Sequence, residues 1–302
     1  MYIGEIVRLA REKTGNSDFT QDSDGNITEG ISTDLVMAFV NDALAFVQSR
    51  IISVYPGAFV EENIQSVVSG QESYTVQDNV FLNNKFVSIE YSQNGALDCY
   101  YPLAQVSLLQ RNTSPGQPYQ YIRRNGQLLL NPIPNSSQGS LRVNFYRTHD
   151  RLDVRRGQIT SEDDTSITLD NDSYLDSVAL ARAQYICIVS ALGEVLYRNI
   201  PIVSYDNVTR VIDIASQTLT GITGAFVVCG KYRTTHLQDD MPERVEDYLR
   251  LVTEYKLEAT DSSLDAINSK KDVADCLNDL VDGFSELSED IQDIPIADKD
   301  LV

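Results

Sequence analysis

Apolar residues at Ile3, Ile6, Val7 and Ala10 alternate with charges at Glu5, Arg8, Arg11 and Glu12. Spacings of three and four gather the apolar set on one face, which predicts a short amphipathic helix over Ile3–Lys13. Between Thr14 and Gly30, Gly15, Gly25 and Gly30 stand among Asn, Asp, Ser and Thr, so local turns replace any period and a loop is expected. Ser32 then offers a capping hydroxyl before Leu35, Val36, Phe39, Val40, Ala43, Leu44, Val47 and Ile51. A long helix follows and ends before Pro56-Gly57.

Beyond Phe59 the period falls to two. Short runs rich in Val, Ile and Tyr lie between turn signals: Ser73–Val76, Phe86–Tyr91, Gln120–Arg123, Gln127–Leu130 and Leu141–Tyr146. Asn125-Gly126 separates two of them by two residues able to take positive φ, the mark of a tight hairpin. These runs predict one antiparallel sheet or small sandwich. The charged stretch Arg151–Gly157 reads as a boundary before a second β unit, with runs at Gln158–Thr160, Ser166–Leu169, Tyr185–Val189, Arg198–Ile202, Arg210–Ile214 and Phe226–Tyr232. Ser173–Gln184 allows a helical turn.

Helix returns at Asp240-Met241-Pro242-Glu243, where a capping carboxylate precedes proline in the first turn and an apolar face of Val245, Tyr248, Leu249, Val252 and Ala259. Ser262-Ser263 interrupts it. Val273, Leu277, Leu280, Phe284 and Leu287 then form a narrow seam suited to another helix, within the chain or on a neighbour. Residues 288–302 mix carboxylates with Ile291, Ile294, Ile296, Leu301 and Val302 and cannot fold alone; such a tail either docks on a neighbour or stays solvated. The expected class is α+β, a helical frame enclosing a large antiparallel β insertion. Its parts are residues 1–57 (helical), 58–150 (first β module), 151–238 (second β module), 239–287 (helices packing with 1–57) and 288–302 (acidic tail).

Composition narrows the function classes. Across 302 residues, 44 acidic side chains against 24 basic ones give a net charge of −20, a field that repels nucleic acid and argues against a sequence-reading DNA or RNA binder. No charged n-region with an apolar core opens the chain and no long uninterrupted apolar run occurs, so neither signal peptide nor membrane span is expected. Cys99, Cys187, Cys229 and Cys276 are widely spaced and read as reduced, mostly buried thiols.

Candidate chemistry is sparse. His149 and His236 have no nucleophile in a recognised setting and read as polar or structural residues. No Walker-type or dinucleotide-binding glycine motif occurs, so no cofactor is expected. Asp163-Asp164 and Asp239-Asp240 sit in polar turns, where carboxylates cap. Asp22–Thr28 copies the middle of a calcium loop, but in that register Thr20 takes the first ligand place and Ile31 the place of the bidentate glutamate, which favours a polar turn over a metal site. The basic doublets Arg123-Arg124 and Arg155-Arg156 are read as pairing with acidic surfaces of a neighbouring subunit. With Leu280, Phe284, Leu287, Ile294 and Leu301 they make up the candidate interface. Sixteen tyrosines without a tryptophan suit both β cores and polar interfaces.

The opening Ile3–Arg11, the Thr33-Asp34-Leu35 start leading to Val40–Leu44, and Tyr55-Pro56-Gly57-Ala58-Phe59 resemble the head-to-tail adaptor (head-completion) proteins of short-tailed bacteriophages. So do Gly126–Pro134 followed by Leu141–Arg147, and Tyr232–His236 before Pro242–Leu249. The likeness is one of pattern and order over residues 1–262. It implies a non-enzymatic virion protein at the portal-tail junction, assembled with its own copies into a ring, dodecameric by analogy. Its implied partners are the portal protein above and tail, nozzle or tail-fibre proteins below, with genomic DNA passing non-specifically and no membrane. A carboxylate-rich wall would let that DNA slide. The chief alternative is a β-rich receptor- or carbohydrate-binding tail module, for which the helical frame is superfluous; a hydrolase comes third, since no acid-base pair is located.

Overall fold

The frame begins with α1 (Ile3–Thr14), whose Ile3, Ile6, Val7 and Ala10 are buried as their spacing predicts. In this computed structural model the described residues are 2–15, 20–21, 27–29, 31–77, 79–80, 86–95, 99–171, 174–238, 241, 244–260 and 266–292; for 20–21, 27–29, 260, 266–269 and 284–292 only the backbone is described. Where a loop was expected, β1 (Thr20–Gln21) and β2 (Ile27–Glu29) form a short antiparallel pair. Most of the calcium-loop-like Asp22–Thr28 lies outside the described residues, while Ile31 is buried. α2 (Thr33–Val54) starts as predicted, with Ser32 Oγ accepting from Leu35 N at 3.1 Å. Among the described residues α2 alone is long and apolar enough to cross a membrane, yet Val36, Val40, Ala43, Leu44, Val47 and Ile51 are buried inside this fold.

The strands follow: β3 (Val60–Ser66), β4 (Ser73–Thr75), β5 (Phe86–Ser92), β6 (Tyr101–Pro102), β7 (Ala104–Gln105), β8 (Pro115–Gly116), β9 (Gln120–Arg124), β10 (Gln127–Asn131), β11 (Ile133–Pro134) and β12 (Ser140–Tyr146). Then come β13 (Arg151–Leu152), β14 (Gly157–Glu162), β15 (Ser166–Leu169), α3 (Ser177–Arg182), β16 (Tyr185–Val189), β17 (Val195–Asp206), β18 (Val211–Ile214), β19 (Phe226–Cys229) and β20 (Arg233–Thr234). Two helices close the chain, α4 (Arg244–Thr260) and α5 (Ala266–Gln292). The chain is therefore α+β, helical at both ends with a large and mainly antiparallel β insertion.

Residues 56–149 form one compact unit. Two four-stranded sheets, in the orders β4-β10-β9-β7 and β3-β12-β5-β6, enclose a shared core. Tyr74, Tyr121, Leu128 and Leu130 meet Ile89, Tyr91, Leu141, Val143 and Phe145 there. Alternation places these residues on the inner faces, as in any sandwich with one solvated side per sheet. β9 and β10 form the expected hairpin, with Asn125 at φ 49° and Gly126 at φ 73°.

The remaining residues, 1–55 with 150–302, form the second unit. Its strands β14-β15-β18-β17-β16-β19 close into a barrel, which leaves no edge within that sheet. Isoleucines at 159, 167, 186, 188, 200, 212, 214 and 222 fill it, with Leu169, Leu180, Leu219 and Val227. α4 packs on α1, α2 and α5, and α2 also touches α5 and β13. A buried Glu254 on α4 holds Lys13 of α1 at 2.5 Å and Arg250 at 3.0 Å. α5 runs to Gln292, past the expected start of the tail at 288. The capping pair Asp240-Pro242 and the serine break at 262–263 lie outside the described residues.

Candidate functional site

The segment Arg151–Gly157, read as a boundary, follows the division between the two compact units at 149/150, and it is closely packed within its own unit. Leu152, Asp153, Arg156 and Gly157 are buried, and β13 pairs in parallel with β20. Asn41, in mid-helix on α2, reaches the same place: its Nδ2 donates to Leu152 O at 2.9 Å and its Oδ1 accepts from Leu152 N at 2.8 Å.

Arg156, 4% exposed, gathers three carboxylates from three segments. Nη2 reaches Asp34 Oδ1 at 2.7 Å and Asp153 Oδ1 at 2.8 Å, and Nη1 reaches Asp176 Oδ2 at 2.5 Å. Asp34 belongs to the first turn of α2, Asp176 caps α3 by accepting from Ala179 N at 3.0 Å, and Asp153 also accepts from Cys229 N at 3.1 Å on β19. Burial disfavours the guanidinium's charge, but the three carboxylates outweigh it and hold the group above its ordinary pKa. The doublet's second arginine thus binds its own chain, which corrects the expected pairing with a neighbouring subunit.

Arg155 is also committed internally. Its Cζ lies 4.0 Å from the Phe226 ring centroid, 4.5 Å from Tyr2 and 5.6 Å from Tyr174, and Nη2 donates to Ala191 O at 2.8 Å. A flat, weakly hydrated cation suits such an aromatic enclosure better than an ammonium would. Arg123 and Arg124 differ: both stand on β9 beside the hairpin turn, Arg123 half-buried with Cζ 5.0 Å from the Phe86 centroid and Arg124 exposed. Of the helical seam, Leu280 is buried and Val273, Cys276, Leu277 and Val281 are partly so, which places this face on α4 and α2. The side chains of Phe284 and Leu287, and all of Ile294 and Leu301, lie outside the described residues.

The histidines take structural places. His149 is buried. His236 accepts or donates at 2.9 Å with Thr235 Oγ1 and packs on Tyr2 with ring centroids 5.8 Å apart; burial, with Arg155 nearby, holds its pKa below the ordinary range. Cys187 alone of the four thiols is buried, Cys229 and Cys276 are partly buried, and Cys99 is exposed, which corrects the expectation of mostly buried cysteines. Burial, reinforced by Asp153, pushes the Cys229 thiol up to about 12, far from nucleophilic at neutral pH. Asp163 caps its own turn, held below the usual carboxylate range by Thr165 N and by the Ser166 and Thr165 hydroxyls. Among the described residues no group of three or more His, Cys, Asp or Glu is placed to hold a metal.

What the molecule offers is surface. A neutral cleft of about 400 Å³ in the 56–149 unit is lined by Gln93, Asn94, Gln117, Gln138, Ser136, Tyr101 and Cys99. Nearby in sequence a 3-10 turn at Leu108–Gln110 leaves Leu109 98% exposed. That turn is pinned by Arg111 on Glu72 at 2.5 Å and by Asn112 N on Asn131 Oδ1 at 2.6 Å, so the leucines are presented on a braced loop. Leu192, Val203 and Val208 are likewise exposed on the barrel's turns and long β17. Sequence reasoning missed Asn41, Asp153 and Asp176; their only signal was polarity next to apolar runs.

No curated protein matches the chain. Residues 1–193, which take in α1, α2, the whole sandwich and the first barrel strands, match the family described as SU10 adaptor protein. That agrees with the resemblance carried by the opening helices and the Gly126–Arg147 stretch: the chain belongs to the SU10 adaptor protein family and is a structural adaptor of bacteriophage.

Proposed function

We propose that this chain assembles with its own copies into a ring, twelve by analogy with head-to-tail adaptors, beneath the portal and above the tail. The family match over residues 1–193 carries the reading. Its physical support is a molecule whose polar groups are spent on bracing: the buried Arg156 network, the Asn41 clamp and the Glu254 pair stiffen the frame that would meet other subunits. In the same reading the helices contact the portal, and the sandwich and barrel present loops to tail, nozzle or tail-fibre proteins.

The net charge of −20 suits passage of DNA, because carboxylates on a channel wall repel phosphates and leave the genome unbound. Asp272, Asp275, Asp279 and Asp282 are exposed along one side of α5 and are the proposed channel-facing line.

Light scattering on the chain mixed with purified portal tests the assembly: a ring-sized complex of both proteins is expected. Failure to associate with portal, together with absence of the chain from purified particles, would overturn the proposal. A map of the assembled particle would place α5 toward or away from the DNA.

A further inference from the structure

Among the described residues β3 is an unpaired sheet edge of unusual length for this molecule. The other ends of the four-stranded sheets are β6 and β7, of two residues each, and β4, of three; the barrel has none. β3 has seven residues, all paired with β12 in unbroken register. Val67 N donates to Gly139 O and Arg147 N to Phe59 O, which marks 67 and 59 as positions bonded to β12. Because antiparallel bonding alternates, 61, 63 and 65 also face β12, and Val60, Glu62, Ile64 and Ser66 turn their N–H and C=O groups to the outside.

Natural sheets blunt such edges with proline, lysine, bulges or brevity. β3 has none of these; its protection is charge alone, Glu61 on the inner face and Glu62 on the outer. Its outer face carries Val60 and Ile64, 41% and 44% exposed, on either side of Glu62, and Glu61 stands on the other face. Both carboxylates are half-exposed and their nearest cations, Arg147 and Arg142, are 3.7 and 3.6 Å away.

We propose that the free edge of β3 docks an extended segment of a partner protein in which apolar residues alternate with lysine or arginine. The backbone of that segment satisfies the four outward-facing residues, its apolar side chains cover Val60 and Ile64 on one face, and its cations, on the other face, meet Glu61. A second copy of β3 is the poorer occupant, since it would bring four carboxylates together on chains that each carry −20. The inference stands on the sheet's own geometry, and its test needs neither portal nor ring.

The probe is a fluorescent peptide of alternating valine and lysine, matched in length to the seven residues of β3, titrated into the full chain by anisotropy. Binding is expected, with slowed amide exchange at Glu62 and Ile64. Ile64→Pro removes only an outward N–H and spares the β12 ladder, so it should weaken binding at least roughly tenfold with the thermal midpoint little changed. Should that variant fold poorly, Glu61→Lys decides: it should shift preference toward a valine-glutamate peptide. No binding, or equal binding by wild type and both variants, overturns the proposal. A wild-type dimer that Ile64→Pro disperses assigns the edge to a second copy and overturns the chosen occupant.

Discussion

Arg156 shows how much of this protein's polar chemistry is internal. Asp153, with a side chain 5% exposed, depends on that guanidinium, whereas Asp34, 67% exposed, has water as an alternative. Arg156→Met is therefore expected to cost about 3–5 kcal/mol by leaving a buried carboxylate uncompensated, and Asp34→Asn less than about 1 kcal/mol, both read from urea denaturation. His236 gives a pH dependence with a defined sign. Its folded pKa lies below the unfolded 6.5, so the folded state binds fewer protons and stability is full above that value and falls as pH drops through it toward the folded pKa. Thermal midpoints measured from pH 8 to 5 should show this slope, and His236→Gln should flatten it. The doublet Arg155-Arg156 was visible in the sequence as chemically unusual, but its partners were not. Asp34 and Asp176 lie 122 and 20 residues away, and no local pattern names them.

Two glycines separate backbone strain from crowding at the scale of single turns. Gly126 at φ 73° closes the β9-β10 hairpin with open space around an added Cβ, so Gly126→Ala meets only the conformational penalty, about 1 kcal/mol. Gly193, at φ 90° in the β16-β17 turn, would put a Cβ 2.1 Å from His236 Nδ1. Gly193→Ala should cost clearly more than Gly126→Ala in the same denaturation assay. Elements with a strong period were legible: α1, α2 and the strands at 86–92, 120–124, 127–131 and 185–189 lie where spacing puts them. β3 was not, because Val60-Glu61-Glu62-Asn63-Ile64-Gln65-Ser66 is an edge strand whose inner face carries Asn63 and Gln65, which weakens the alternation that reveals buried strands. The β1-β2 pair hid for a similar reason, its residues being typical of turns.

Residues 56–149 own a complete core, and the ends of the unit meet: Arg147 N donates to Phe59 O at 2.9 Å and Tyr146 Oη to Pro56 O at 3.0 Å. Produced alone, this unit is expected to unfold in one cooperative thermal transition; a broad, non-cooperative melt would show that it needs the rest of the chain. The second β stretch was recognisable as strands but not as a closed barrel sharing a unit with α1, α2, α4 and α5. By itself the sequence determined the helical ends, the β insertion, the tight hairpin and the family, because periodicity, turn residues and local order act over a few positions and survive without partners. The tertiary structure alone decided that Arg155 and Arg156 face inward, that Arg151–Gly157 braces the unit it opens after the boundary, and that β3 is an unpaired edge among the described residues. Burial, ion pairing and sheet order depend on residues far apart in the chain, and only folding brings those together.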